Sequence, residues 1–258
     1  MPQLLGFEIS DIGLPAALTT IAGLTKQTGR YLIVTANPEI LVEGFFNKKF
    51  RQVLQTAQLL LPDGFGLLVL AKFFSKPGFR HGRVTGVDLV KGLVEKANDL
   101  NISVFFIGSN INILQSATHN LSKLFNKKLN IIGFAEGPIF NKYDNFPINS
   151  KINNELINKI INCKPDILLV GFGSPKQELW LNYYLNKLPV KVGIGVGGTF
   201  DYLSGVAQIP PTFFKKNGLE WLWRFVKQPK RVFRIFKAVI LFPFLVLLFR
   251  NKVPYGTG

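Results

Sequence analysis

Asp63 stands between Pro62 and Gly64, one residue past the apolar run 58–61. A carboxylate at the carboxyl end of a strand can accept a proton from a substrate hydroxyl, which makes Asp63 a candidate general base. Aspartate is also a favoured helix N-cap, and a helical pattern begins at Phe65. The spacing alone therefore leaves both catalysis and helix capping open for Asp63.

A glycine-rich turn forms a second candidate. Residues 171–180 read Gly-Phe-Gly-Ser-Pro-Lys-Gln-Glu-Leu-Trp and follow the apolar run 167–170. Its glycines let a ligand approach the main chain, and the free N–H groups of a helix start attract an anion such as phosphate. We expect Ser174 to cap the helix and Pro175 to occupy its first turn. Because Ser174 and Gln177 have capping-box spacing, the pattern leaves open whether Gln177 only secures its helix.

Three more polar or glycine-rich turns follow apolar, strand-like runs, at 35–39, 61–64 and 195–201. Asn37, in the first of them, has the same ambiguity between helix capping and ligand binding. A single turn of this kind is common at any junction of strand and helix. Four of them at strand ends predict one built site.

Arg83 and Asp88 lie in the segment Gly-Arg-Val-Thr-Gly-Val-Asp-Leu. An arginine can hold a diphosphate through two parallel hydrogen bonds, so Arg83 is a candidate substrate ligand. The alternative is that Arg83 and Asp88 pair with each other.

Short apolar runs alternate with helical patterns along most of the chain. The predicted strands are 4–9, 31–35, 58–61, 102–107, 129–134, 167–170 and 190–196. The predicted helices are 14–27, 38–50, 65–74, 88–98, 111–125, 151–161 and 175–188. Continuous apolar runs are typical of strands buried on both faces. We therefore predict an α/β fold, a Rossmann-like and mainly parallel sheet with helices on both faces, with ligands at the carboxyl ends of its strands.

The amino-acid composition limits the kinds of partner that the protein can be expected to bind. The 258 residues carry 31 basic and 15 acidic side chains, a formal charge of +16, with 47% hydrophobic content. Such a balance indicates an anionic partner: nucleic acid, lipid headgroups or a phosphorylated substrate. Cys163 is the only cysteine, which permits no internal disulfide and fits a reducing compartment. The N-terminus lacks the pattern of a signal peptide.

The basic excess is concentrated at the C-terminus, where it flanks the apolar run 238–249. This run of about a dozen residues is shorter than the about 20 that a membrane span needs. We also expect Pro243 to interrupt a helix. A segment lying in the membrane interface is favoured, with a buried helix, a dimer contact or a true span as alternatives. Since Pro210 and Pro211 break regular structure, we divide the chain into a catalytic domain, 1–204, and a C-terminal membrane-associating helical appendage, 205–258.

The sequence lacks the residues that several kinds of chemistry require. His81 and His119 are far apart in sequence and have no partners at ligand spacing, so zinc is not expected. There is no Asp-x-Asp or Glu-x-Asp pair to hold a divalent ion on a nucleotide-sugar diphosphate, and no Walker A sequence. The stretch 195–198 matches a dinucleotide fingerprint only loosely. We therefore predict no metal and no cofactor.

Together the motifs resemble the WecG/TagA/CpsF glycosyltransferases, glycosyltransferase family 26. The matching segments follow the family's order over nearly the whole chain: 35–39, 62–64, 83–88, 171–178, 195–201, 204–205 and 218–224, with Pro229, Arg231 and Arg234. The resemblance implies inverting, metal-independent transfer of N-acetylmannosamine or its uronic acid from a UDP donor. The implied acceptor is a sugar on a polyprenyl diphosphate, in teichoic acid or other cell-surface polysaccharide synthesis. A peripheral enzyme on the cytoplasmic face of a bacterial plasma membrane is implied as well.

The resemblance also assigns residues. Asp63 is implied as the catalytic base. The implied substrate-binding residues are Thr35, Asn37, Arg83, Asp88, Gly173, Gln177, Gly198, Asp201, Arg224, Arg231 and Arg234. The three arginines of the appendage are implied to close over the active site and touch an anionic membrane surface.

Two other functions are weighed against the glycosyltransferase. A basic nucleic-acid-binding α/β protein would interleave its charges with exposed aromatics, whereas here the charges bracket an apolar run. A nucleotide-dependent oxidoreductase is disfavoured by the poor fingerprint. We therefore predict a UDP-sugar, a polyprenyl-linked sugar and a membrane surface as partners, and no nucleic acid. A homo-oligomer is left open.

Overall fold

A parallel β-sheet forms the centre of the molecule in a computed structural model that describes residues 1–108, 110–142, 144–227 and 232–250. In chain order the strands are β1 (Gln3–Leu4), β2 (Phe7–Glu8), β3 (Tyr31–Ala36), β4 (Leu59–Pro62), β5 (Val104–Gly108), β6 (Ile131–Glu136), β7 (Ile167–Gly171) and β8 (Val192–Gly195). Strands β3 to β8 form one sheet in the order β4–β3–β8–β7–β5–β6, and all its neighbouring strands are parallel. The predicted parallel sheet is confirmed.

The predicted strand 4–9 was wrong. Strands β1 and β2 instead pair antiparallel as a small hairpin outside the main sheet. Leu5 and Gly6 have positive φ values of 53° and 78°, which turn the chain back on itself. An apolar run of this length is compatible with either arrangement, because the side chains are buried in both.

Helices cover both faces of the sheet, as predicted. They are α1 (Leu14–Leu24), α2 (Pro38–Phe46), α3 (Lys48–Thr56), α4 (Phe65–Phe74), α5 (Gly86–Asp99), α6 (Ile111–Phe125), α7 (Lys151–Cys163), α8 (Lys176–Tyr184), α9 (Thr199–Leu203), α10 (Thr212–Lys216), α11 (Glu220–Lys227), α12 (Val232–Phe236) and α13 (Phe242–Phe249). One core packs α2, α3, α4, α7, α8 and α13 against the sheet, and the other packs α1, α5, α6 and α9. The inner strands of the sheet are thus buried between two helical layers, whereas the edge strand β6 is partly exposed.

The predicted helix 38–50 was wrong in its length. Two helices, α2 and α3, meet at Asn47, whose backbone is extended. The Asn47 Oδ1 atom accepts a hydrogen bond from Phe50 N at 3.0 Å and caps α3. The buried guanidinium of Arg51 donates to the carbonyl oxygens of Gly44 and Phe45, which satisfies the end of α2. Asparagine favours caps over helix interiors, so the break follows from local chemistry.

The C-terminal apolar run forms a continuous helix, Val232–Phe249, in which a π-helical turn at Lys237–Leu241 joins α12 to α13. The expectation that Pro243 would interrupt the helix was wrong. Pro243 lies in the first turn of α13, directly after the π turn. A π turn changes the hydrogen-bond pattern, and so the helix continues where an α-helical ladder would lose a donor.

The two faces of this helix differ. Phe242, Leu245 and Val246 are buried in the same core as α2, and the ring of Phe249 lies 5.1 Å from that of Phe45. The exposed apolar side chains are Val232, Phe233, Phe236, Ile240, Phe244, Leu247 and Leu248. Among the described residues, Val232–Phe249 is the one helix long and apolar enough to cross a membrane by length and composition.

Candidate active site

A polar cavity of about 170 Å³ lies at the carboxyl ends of β3, β4, β7 and β8. The structure brings nine of the predicted site residues to its walls: Thr35, Asn37, Asp63, Arg83, Asp88, Gly173, Gln177, Gly198 and Arg234. Asp201 instead lines a much smaller cavity beside Gly198. The side chain of Arg224 and the whole of Arg231 lie outside the described residues. Residues distant in sequence thus meet where a parallel sheet binds ligands.

Asp63 is fixed by the sheet. Its backbone N–H donates to the Ala36 carbonyl at 2.7 Å, which extends the pairing of β3 with β4 by one residue. The cap position of α4 belongs to Gly64, so Asp63 stands before the helix and lines the cavity. Of the two interpretations left open by the sequence, helix capping does not fit this placement, and the catalytic role stays a prediction.

Thr35 lies in β3, and Asn37 directly follows the end of that strand. The Asn37 Oδ1 atom accepts from Ile40 N at 3.0 Å, so this side chain does cap α2 while lining the cavity. The buried Thr35 hydroxyl donates to the Gly195 carbonyl at 3.0 Å and ties β3 to β8.

Arg83 pairs with Glu220 rather than with Asp88. Its Nη2 atom lies 2.6 Å from Glu220 Oε1, and both side chains are about four-fifths buried. Burial would lower the pKa of Arg83, but the hydrogen bond to Glu220 and the charges of Glu220, Asp63 and Asp88 together raise it. Arg83 is therefore a permanent cation facing three carboxylates.

Asp88 and Thr85 form a reciprocal capping pair at the start of α5. The Thr85 hydroxyl donates to Asp88 Oδ2 at 2.6 Å and accepts from Asp88 N at 3.2 Å. This arrangement satisfies a free N–H of the first turn and holds both side chains at the cavity.

The expected role of Ser174 as a helix cap was wrong. Helix α8 begins at Lys176 with Pro175 in the cap position and no capping side chain. Gln177 consequently makes no capping box. Its Oε1 atom accepts from Gly197 N at 3.0 Å, and its own N–H donates to the Gly173 carbonyl at 3.2 Å. Gln177 thus joins the turn after β7 to the turn after β8.

Three positions in or next to these turns are glycine for structural reasons. Gly173 and Gly197 have φ values of 82° and 57°, which side-chain-bearing residues rarely adopt. A Cβ at Gly195 would lie only 2.7 Å from Gln177 Nε2 and 2.9 Å from Glu178 Oε1. The turns can close around a ligand only because these positions carry no side chain.

The C-terminal helix supplies another wall. The Nε atom of Arg234 lies 2.7 Å from Glu39 Oε2, and Lys237 Nζ lies 3.5 Å from Glu43 Oε2. Sequence reasoning missed Glu39 and Glu220 as site residues, although both lie in motif segments, because their arginine partners are 195 and 137 residues away.

A second, mainly apolar cavity of about 430 Å³ adjoins the polar one. The two cavities share Asn37, Glu39, Asp63, Glu220 and Arg234. Apolar lining of the second cavity comes from Phe65, Val69, Leu70, Trp221, Val239 and Pro243. The predicted base therefore stands between a polar cavity at the sheet and an apolar cavity against the C-terminal helix.

Within the described ranges, no three His, Cys, Asp or Glu side chains come together as a metal site. The ring of His81 instead contacts the Asp11 carboxylate, with Nδ1 and Oδ1 3.2 Å apart.

Known proteins are similar to this chain over most of its length. The model of the glycosyl transferase WecG/TagA/CpsF family matches residues 2–257. Among similar curated proteins is the N-acetylglucosaminyldiphosphoundecaprenol N-acetyl-beta-D-mannosaminyltransferase of Bacillus spizizenii strain W23. It is 33% identical over 208 residues, which are 81% of this chain and 75% of the relative.

Relatives with the same name are known from other bacteria. The one from Bacillus subtilis strain 168 is 26% identical over 78% of this chain and 73% of its own. The one from Staphylococcus aureus strain MW2 is 25% identical over 88% of this chain and 84% of its own. Because the family model spans almost every residue, the predicted family is confirmed: the chain belongs to the WecG/TagA/CpsF glycosyl transferases.

Proposed function

We propose that this protein transfers an N-acetylmannosamine-like sugar from a UDP donor to a sugar on a polyprenyl diphosphate, with inversion and without a metal. The observation that carries the proposal is the place of Asp63, at the junction of a polar and an apolar cavity. The donor is polar and anionic, whereas the acceptor joins a sugar diphosphate to a hydrocarbon chain. The names of the relatives support this pair of substrates.

In this mechanism Asp63 accepts the proton of the acceptor hydroxyl as its oxygen attacks the anomeric carbon of the donor sugar. The bond between that carbon and the UDP oxygen breaks on the opposite face, so a single displacement inverts the configuration. Arg83 lies close enough to Asp63 that the charge of this carboxylate contributes to the raised pKa of Arg83.

The departing UDP needs positive charge and N–H donors. Arg83 and Arg234 line the polar cavity together with the glycine turns after β7 and β8. The N-terminus of α8 opens onto the same cavity through Gly173 and Gln177, and the free N–H groups of a helix start favour an anion. Groups of this kind can stabilise developing negative charge, which is what a metal ion does in other glycosyltransferases.

The acceptor side faces the C-terminal helix. We place the hydrocarbon nearest the diphosphate in the apolar cavity, with Arg234 at its polar end. The exposed apolar face of the helix would sink into the interface of an anionic membrane, on its cytoplasmic face. Residues 205–258 would then act as the appendage that brings the catalytic residues 1–204 to the lipid.

A direct assay tests the proposal. Purified protein is offered a panel of UDP-sugars with a short-chain polyprenyl diphosphate N-acetylglucosamine, in the presence of a chelator. Mass spectrometry should detect one added N-acetylhexosamine from the N-acetylmannosamine donor, and NMR should report an anomeric configuration opposite to that of the donor. Retained configuration, or activity abolished by the chelator and restored by a divalent ion, would overturn the mechanism. Absence of transfer from every UDP-sugar would overturn the function.

A further inference from the structure

We infer that Glu178 is a positioning residue for the donor pocket, acting through the amide of Gln177. Glu178 is fully buried, and Gln177 is 1% exposed. The Gln177 Nε2 atom donates to Glu178 Oε1 at 2.7 Å, while Gln177 Oε1 accepts from Gly197 N at 3.0 Å. The inference rests on the proposed function, since it concerns the same donor site.

The orientation of the Gln177 amide follows from these partners. A backbone N–H only donates, so the Gly197 N–H must meet the amide oxygen. The amide nitrogen then faces Glu178, whose carboxyl oxygen is an acceptor. If that acceptor were lost, the hydrogen bond from the Gly197 N–H alone would hold the amide in this orientation. Glu178 thus supports the bond that shapes the turn after β8.

Packing leaves this pair little freedom. The backbone of β8 passes so close that a Cβ at Gly195 would contact both the Gln177 amide and the Glu178 carboxyl. Gly195 itself is held by the Thr35 hydroxyl on its carbonyl. The Gln177 and Glu178 side chains are therefore tightly packed between the sheet and the two glycine turns. A small rotation of either side chain would change the shape of the cavity.

Burying the Glu178 carboxyl destabilises the fold, so its presence in the core needs an explanation. Burial raises the pKa of Glu178, against the opposing effects of its hydrogen bonds with Gln177, with its own backbone and with the Ser174 side chain. Its Oε2 atom is buried without a hydrogen-bond partner of normal geometry. Leucine or methionine would fill such a site more cheaply, since an unsatisfied buried polar group destabilises a fold. Orienting a substrate-binding amide is the role that Glu178 can perform and those residues cannot.

Three variants test the inference by UDP and UDP-sugar binding and by steady-state kinetics. Glu178→Met removes the acceptor at similar size, and we expect the donor Kd and KM to rise about tenfold, as for loss of one buried hydrogen bond. The KM of the acceptor should stay unchanged. Glu178→Gln keeps an oxygen acceptor and should restore donor binding to within about twofold. Leu179→Met, in the same helix and core, is the matched control and should bind the donor normally.

The double variant Gln177→Leu/Glu178→Met separates positioning from general damage. If Glu178 acts through Gln177, the Glu178 change adds nothing to donor Kd in the Gln177→Leu background. Equal donor affinity in wild type and Glu178→Met, or full additivity in the double variant, overturns the inference. Should Glu178→Met not fold, Glu178→Asp withdraws the acceptor while keeping the carboxyl, and an unchanged donor KM overturns the inference too. Failure of the wild type to bind any UDP-sugar would instead overturn the proposed function.

Discussion

The two sides of the polar cavity are held in different ways. On the sheet side, buried hydrogen bonds of Thr35 and Gln177 join the main chain of neighbouring strand ends. On the side of the C-terminal helices, ion pairs connect Arg83 to Glu220 and Arg234 to Glu39. The Thr35 and Gln177 side chains are at most 5% exposed, whereas the side chains of the ion pairs are roughly 20–46% exposed.

The sheet side is therefore a preorganised wall of the polar cavity, whereas the arginines on the other side can exchange one partner for another. Buried hydrogen bonds in a low-dielectric interior are expensive to break and insensitive to salt. Exposed ion pairs contribute only about 0–1 kcal/mol and are weakened by salt, and Arg234–Glu39 is nearer to that case than the more buried Arg83–Glu220. Under the proposed function, a substrate diphosphate would take the place of the Glu39 or Glu220 carboxylate on an arginine, while the sheet side keeps its shape.

The largest effect is expected at Asp63, which both cavities share. Asp63→Asn should lower kcat by roughly 10²–10⁴-fold and barely alter donor affinity, because only proton transfer is lost. Turnover and UDP-sugar binding are measured on the same preparation, with circular dichroism to show that the variant is folded. Near-normal turnover would mean that Asp63 is not the base.

The sheet side is tested at Gly195. Gly195→Ala pushes a methyl group against the Gln177 amide and the Glu178 carboxyl, and should cost about 1–3 kcal/mol of folding free energy. Donor affinity should fall with it, since the glycine turns move apart.

The same substitution at Gly23 is the control for Gly195→Ala. Gly23 lies in α1, and a Cβ there would meet nothing within 4 Å. We expect Gly23→Ala to stabilise the protein by about 0.5–1 kcal/mol, because alanine is favoured over glycine in a helix. Chemical denaturation of both variants measures the two opposite signs; a neutral Gly195→Ala would show that the sheet side is not rigid.

The exchangeable side is tested by removing its carboxylates. Glu39→Gln should change stability by less than about 1 kcal/mol, because its pair with Arg234 is partly exposed. Glu220→Gln should cost more, because it leaves the mostly buried Arg83 without its closest partner. At low salt both variants should tighten UDP binding several-fold, because Arg83 loses its Glu220 partner and Arg234 loses its Glu39 partner. Calorimetric titration at low and high salt checks this, since the gain should shrink as salt rises. If either variant weakens UDP binding instead, its carboxylate supports the site rather than competing with the ligand.

Much of this arrangement was predictable because it depends on local sequence. Continuous apolar runs gave the parallel strands, and the turn after each strand placed Asp63 and Gln177 at one edge. The pairing of Arg83 with Glu220 was not predictable, since it depends on how the last helices fold back. The burial of Glu178 was hidden for a similar reason: in sequence it is an ordinary acidic residue in the first turn of a helix, and only the sheet packed over it makes it a core residue.

The smallest effect on turnover in solution is expected on the outer face of the C-terminal helix. Phe244→Ser and Leu247→Ser remove exposed apolar groups, so stability and activity on a water-soluble acceptor should stay close to wild type. If this face lies in the membrane interface, each change should weaken binding to anionic liposomes by about tenfold or more, from the lost transfer of one large side chain.

The inner face provides the contrast. Leu245 is buried in the core beside α2, and Leu245→Ala should destabilise the fold by about 2–5 kcal/mol while the folded fraction still binds liposomes. Thermal unfolding and liposome sedimentation on the three variants separate the two faces. Unchanged sedimentation of Phe244→Ser and Leu247→Ser would mean that the membrane contact lies elsewhere. Loss of stability in those two variants would mean that the outer face is covered by protein, most simply by a second copy of the chain.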